Sequence, residues 1–272
     1  MRELSGDILA DKCFEKYFVC ECNEQACSIA KLVAKGDVGS GTQICLYGKR
    51  GVGKTYTLMS IANVLIQARE KNFTYLSGER LLRLYGYYLS SKRSIEKIKE
   101  SLFQSLLENR AVLLLDEIDK IIEVGKFELL LWMLECCEEN NIVVVMGCDD
   151  CQYRRLYKIP ALEERFNQVV MVEMTDMKDD DALLYVRHCV AVDEVFKGVR
   201  FDEAALEYIV EDYPLNFWWL NCALLEVHER SKDGGYPPIY TLQRTMNVLN
   251  DKYYYEIEED NDWFVNENCE EE

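Results

Sequence analysis

Gly48-Lys49-Arg50-Gly51-Val52-Gly53-Lys54-Thr55 follows an apolar run and leads into a stretch of helical periodicity. Three glycines in eight residues leave the backbone bare enough to wrap, so that consecutive N–H groups point inward at an anion. A lysine and a hydroxyl at the far end complete the gapless pattern G-x-x-x-x-G-K-[ST]. Its chemistry is polyphosphate binding. Lys54 is expected to reach the β- and γ-phosphates, and Thr55 to ligate Mg²⁺. The ligand set expected for ATP or ADP is Gly48, Lys49, Arg50, Gly51, Val52, Gly53, Lys54, Thr55 and Tyr56.

Acids suited to this ligand lie roughly sixty residues on, where Val112 to Leu115 run into "DEID". A carboxylate ending a buried strand beside the phosphate-loop strand is where Mg²⁺ needs an oxygen, which selects Asp116. Glu117 is placed to polarise a water for in-line attack on the γ-phosphate. A fourth apolar run ends in "GCDD". There Asp149, with Asp150 as the alternative, is expected between the acids and the phosphate. Arg165, in "LEERF", is expected to stand on the surface and enter a neighbouring subunit's site; Arg154 and Arg155 compete for that role.

These residues need a scaffold that brings strand ends together. "QICLYG" (43–48), "NFTYLS" (72–77), "AVLLLD" (111–116), "NIVVVMG" (141–147) and "QVVMVEM" (168–174) are short, nearly continuous apolar runs, read as strands buried on both faces. Helical stretches alternate with them, which implies βαβ units and a three-layer α/β core around a parallel five-stranded sheet. From about Asp179, four helical patterns follow with no strand between them. The expected organisation is a nucleotide-binding core over 1–177 with a lead-in at 1–40, a small all-helical domain over 178–250, and an acidic tail over 251–272.

Bulk properties exclude some functions. The net charge is −18, half of it carried by residues 253–272, which have acidic and no basic side chains. That balance argues against a generic duplex-DNA binder, which needs Lys and Arg against phosphates. No apolar run is long enough to span a bilayer and the start has no signal-peptide core, so the expected place is the cytoplasm with no membrane partner. Twelve cysteines then read as reduced thiols acting as small buried hydrophobes. "CDDC" (148–151) has redox or zinc-like spacing but no second pair near it, and Cys13, Cys20, Cys22 and Cys27 fit no common zinc motif.

With the phosphate loop, "DEID", the polar strand end, "LEERF" and the helical region in this order, the chain resembles the AAA+ ATPases. Within them it is similar to the ATPase region of the DnaA and Hda family of replication regulators. "CFEKYFVCECNEQACSIAKLVA" resembles that family's F-x-x-F-x-x-x-x-x-N lead-in, which implies that Tyr17 to Asn23 flank the adenine. "NFWWLNCALLEV" and "PPIYTLQRTMNVL" resemble helices of its lid. The resemblance implies an ATP-controlled oligomerising switch in replication initiation or its control. ATP would lie between core and lid, Arg165 would mediate self-association, hydrolysis would be slow and neighbour-dependent, and a replication-initiation protein would be the partner. Three departures stand against it. Trp218 occupies the place of the lid arginine, no basic helix-turn-helix follows, so sequence-specific duplex DNA is not an expected partner, and "MRELSGDILA" lacks Hda's clamp-binding motif.

Two other readings fit the same residues. One is a nucleotide-bound adaptor that does not hydrolyse, favoured by Trp218; the other is a helicase-loader-like ATPase. Lys92, Arg93, Lys97 and Lys99 offer weak single-stranded DNA binding, although Glu96 and Glu100 interleave with them as i,i+4 partners on a solvated helix.

Overall fold

The computed structural model describes residues 8–69, 72–90, 94–232 and 239–249; the acidic tail, Lys92 and Arg93 lie outside them. Strands β1 (Gln43–Gly48), β2 (Phe73–Ser77), β3 (Val112–Asp116), β4 (Val143–Asp149) and β5 (Val170–Glu173) form one sheet in the order β2-β3-β4-β1-β5. Every pairing is parallel. Parallel neighbours require crossovers, and the helices supply them on both faces.

Alternation along the strands divides the core in two. Ile44, Leu46, Tyr75, Val112, Leu114, Val143 and Val145 face α1 (Glu24–Lys35) and α2 (Lys54–Gln67), packing on Ala30, Leu58 and Ile61. Cys45, Leu76, Leu113, Leu115, Val144 and Met146 face the opposite layer. That layer comprises α3 (Gly78–Ser90), α4 (Ile95–Leu106), α5 (Asp119–Glu123), α6 (Phe127–Glu139), α7 (Asp150–Leu156) and α8 (Pro160–Phe166). Both strand faces are therefore apolar, which is why the strand sequences are continuous rather than alternating.

Two features differ from the sequence expectation. β3 does not lie beside β1, because β4 sits between them. β5 is also less buried than its composition implied. It is an edge strand with one neighbour, and Val170 is 45% exposed.

The chain divides into two compact units, 1–176 and 177–272. In the second, α9 (Asp179–Val192), α10 (Glu203–Asp212), α11 (Phe217–Lys232) and α12 (242–249) surround Ala182, Val186, Phe196, Ile209, Leu220, Leu224 and Val227. The sequence patterns suggested helices without strands, yet β6 (Arg200–Phe201) and β7 (Ile239–Tyr240) pair in parallel. Two residues per strand are too few to leave a periodic signal. Buried His228 meets the Tyr240 hydroxyl through Nδ1 at 2.9 Å.

Candidate nucleotide site

The phosphate loop runs from the end of β1 to the first turn of α2. Gly51 (φ 90°) and Gly53 (φ 101°) take left-handed conformations, which L side chains rarely adopt, and these turns wrap the loop. Val52 is buried beneath it and anchors it to the α2 face of the sheet. Lys54 Nζ donates to the carbonyl oxygens of Gly48 and Lys49, the latter at 2.8 Å, so it already sits inside the loop. Desolvation lowers the Lys54 pKa, an effect opposed by the charges of Asp149, Asp119 and Asp116.

Asp116 ends β3 on the same face as Gly147 of β4 and Gly48 of β1, since residues two apart share a face. It is only 3% exposed. With β4 intervening, its carboxylate must lean across a neighbouring strand to approach α2. Gly147 makes room for it: a Cβ there would lie 2.7 Å from Asp116 Oδ1. Three donors hold the carboxylate. Tyr75 OH donates to Oδ2 at 3.0 Å, the Glu117 N–H to Oδ1 at 3.0 Å, and the Thr55 hydroxyl completes the set. Desolvation raises the Asp116 pKa, and the Thr55 and Tyr75 hydroxyls act against it. Thr55 and Asp116 thus present two hard oxygens side by side, a donor set that suits Mg²⁺.

Glu117 stands at φ 53°, an uncommon conformation for a residue with a side chain, and such strain persists only where surroundings enforce it. Two contacts do so. The Ile118 N–H donates to Gly147 O at 2.9 Å, and the Glu117 carbonyl packs against Gly78 so closely that a Cβ there would lie 2.2 Å from its oxygen. Desolvation and the charges of Asp116 and Asp119 raise the Glu117 pKa, as suits a group that accepts a proton from water. Asp149 pairs in register with Gly48, on the face that carries Gly147. Its N–H donates to Asp119 Oδ1 at 3.3 Å, so buried Asp119 fixes the end of β4.

Two of the expected residues direct their side chains elsewhere than the phosphate loop. Tyr56 turns its side chain toward the lead-in rather than the loop: its OH donates to Cys13 O at 3.3 Å and its ring meets Tyr17 edge-on. Arg165 is not a free surface cation. Its side chain is 12% exposed, with Nη1 2.6 Å from Glu138 Oε2 and Nη2 donating to Leu134 O at 3.0 Å, both on α6 of its own chain. The turn after α7 and the short α8 bring the arginine against α6, where a carbonyl and a carboxylate converge. Arg154, by contrast, is exposed and paired with Asp150 at 3.5 Å. Within the second unit, Trp218 is 45% exposed and meets Trp219 edge-on at 4.6 Å. Tyr75, Gly78 and Gly147 were missed by motif reading. A tyrosine among strand residues and a glycine at a strand end were the only signals.

Comparison with known proteins fits this geometry. Residues 9–173 match the family model described as the bacterial DnaA ATPase domain, more than half of the chain. The chain belongs to this family. It is 26% identical over 207 residues to the chromosomal replication initiator protein DnaA of Helicobacter hepaticus, covering 73% of this chain and 41% of that protein. Against DnaA of Methylacidiphilum infernorum it is 24% identical over 249 residues, covering 88% and 50%. The chain thus spans half or less of the length of these relatives. Among solved structures, domain III of Thermotoga maritima DnaA superposes with a TM-score of 0.73 at 20% identity, over 90% of this chain and 98% of that domain. A DnaA structure bound to AMPPCP and single-stranded DNA superposes with a TM-score of 0.64 at 16% identity, over 84% and 70%. The core is a DnaA-like AAA+ ATPase domain. Among the described residues no helix is long and apolar enough to cross a membrane.

Proposed function

We propose that the chain binds ATP and ADP at the loop of residues 48–55 and hydrolyses ATP slowly, as a nucleotide-controlled switch in DNA replication initiation or its regulation. One observation carries this reading. Asp116 crosses over Gly147 to meet Thr55 at the start of the phosphate-loop helix, with Glu117 held in a strained backbone next to it. A capped or merely solvated strand end has no reason to build such a crossing.

Gly48 to Thr55 hold the phosphates, with Lys54 leaving the loop carbonyls for phosphate oxygens. Thr55 and Asp116 hold Mg²⁺, which neutralises charge on the phosphates. Glu117 takes a proton from the attacking water, and Asp149 orients it. Binding of AMPPCP by a structural relative supports the ligand class. Assembly on single-stranded DNA is a further part of the reading, supported by the same relative and by exposed Tyr87, Ile95 and Lys97 on α3 and α4.

ATP turnover per chain, followed across a wide protein concentration range with Lys54→Ala beside the native chain, tests the proposal. Turnover that rises with concentration and vanishes in the variant supports an assembling switch. Tight binding with flat, negligible turnover favours the adaptor reading instead. The sequestration of Arg165 on its own α6 is the observation on that side.

A further inference from the structure

The turn preceding α1 carries Cys20 and Cys22 with their sulfurs 2.8 Å apart, within an ångström of the S–S bond length of about 2.05 Å. The side chain of buried Asn23 fixes the turn: its Oδ1 accepts the Cys20 N–H at 2.9 Å and its Nδ2 donates to Phe18 O at 2.9 Å. The two thiols therefore meet because the backbone holds them so. Among the described residues, no group of three or more Cys, His or carboxylate side chains could hold a metal. Cys22 is half-buried and Cys20 buried, which separates an accessible thiol from a protected one.

This turn is connected to the phosphate loop. Tyr17, three residues before Cys20, donates its hydroxyl to Thr57 Oγ1 at 2.7 Å, and Thr57 Oγ1 donates to Gly53 O at 3.0 Å. The Tyr17 ring packs on Phe14 and Tyr56. On the other side of the turn, Cys22 O accepts the Thr175 N–H at 3.3 Å, just beyond β5. A covalent change at the turn thus acts on a hydrogen-bonded path of two links to a glycine of the loop.

We propose that Cys20 and Cys22 form a reversible dithiol–disulfide modification site, oxidised by a low-molecular-weight disulfide such as oxidised glutathione, whose closure weakens nucleotide binding. The Cys22 thiolate attacks a sulfur of the small disulfide, forming a mixed disulfide and releasing one glutathione thiolate. Cys20, as thiolate, then attacks Cys22 Sγ, forming the intrachain S–S bond and releasing the second glutathione. Two electrons pass from the cysteine pair to glutathione, and the protein loses two protons. Closing the bond draws the sulfurs together and twists the turn away from the backbone that now presents Tyr17 to Thr57. The effect on nucleotide rests on the reading given under Proposed function; the disulfide itself does not.

The test equilibrates the full chain in glutathione buffers from fully reduced to fully oxidised, blocks free thiols and measures peptide masses. The expected peptide escapes blocking at both Cys20 and Cys22 and is lighter by two hydrogens, while Cys20→Ser stops at the mixed disulfide. Titration with fluorescent ADP then shows a several-fold loss of affinity on oxidation, reversed by dithiothreitol and absent from the Cys20→Ser, Cys22→Ser double variant. Absence of the 20–22 bond in fully oxidised glutathione, or pairing of either thiol elsewhere, overturns the site. A formed bond with unchanged ADP affinity overturns the coupling. Failure of the reduced chain to bind ADP overturns the nucleotide reading and the coupling with it, and the mass measurement still decides the disulfide.

Discussion

Asp116 is a buried charge and Arg165 a half-buried one, and they occupy opposite kinds of place. Asp116 has a short side chain on a central strand. Strand parity fixes its face, and its carboxylate reaches three donors that converge there: Tyr75, Thr55 and the Glu117 N–H. Arg165 has a long, flexible side chain near the end of a seven-residue helix, and it folds back onto Glu138 and Leu134 O. A motif therefore predicts where the charge of a short strand residue lies far better than where that of a long helical one does. The backbone address is the same kind of information in both cases, but only for aspartate does it also give the position of the charge.

This contrast can be broken experimentally. The largest effect is expected at the strand side: Glu117→Gln should keep ATP affinity and lower turnover about 10²-fold or more, as for loss of a general base. Equal turnover in the variant would remove Glu117 from the chemistry. Next, Gly147→Ala should displace the Asp116 carboxylate, because its new methyl would meet Oδ1 at 2.7 Å. Manganese binding to the ADP complex, followed by electron paramagnetic resonance, is expected to be lost while metal-free ADP affinity stays close to native.

A smaller effect is expected from Tyr75→Phe, which removes one hydrogen bond to a charged acceptor worth about 1.5 kcal/mol, close to tenfold in manganese affinity. Unchanged metal affinity would make Tyr75 a packing residue only. Smallest is Arg165→Ala. Its ion-pair partner Glu138 is 57% exposed, so the cost is about 1 kcal/mol, read as a fall of about 2–4 °C in melting temperature. Should assembly-dependent turnover vanish while the melting temperature holds, Arg165 would have left α6 to serve a neighbour, and the contrast with Asp116 would narrow.

The sequence contained more of the scaffold than of the site's supports. Five apolar runs located the strands, since burial on both faces leaves continuous Val, Ile and Leu. The gapless loop pattern located the turn that Gly51 and Gly53 make. Strand order did not follow from the runs, because nothing in a strand's composition says which neighbour it chooses, and β4 came between the two strands expected side by side. Tyr56 illustrates a related limit: one helical step beyond Thr55, its ring already belongs to the lead-in. Tyr75 and Gly147 acquire meaning only once β2, β3 and β4 are laid next to one another, so no local pattern could mark them.

Gly147 also changes what counts as a member of this site. Its side chain offers no charge, donor or ring; besides the carbonyl that holds Ile118, it contributes a vacancy the size of a methyl group, through which a carboxylate from the next strand passes. Tolerance to substitution at 147 should therefore mirror that at 116, and a map of essential positions would show an apparently inert strand residue behaving as if it touched the ligand. The intervening strand is in this sense a window frame, and its opening sets which side chains can be seen from the phosphate loop.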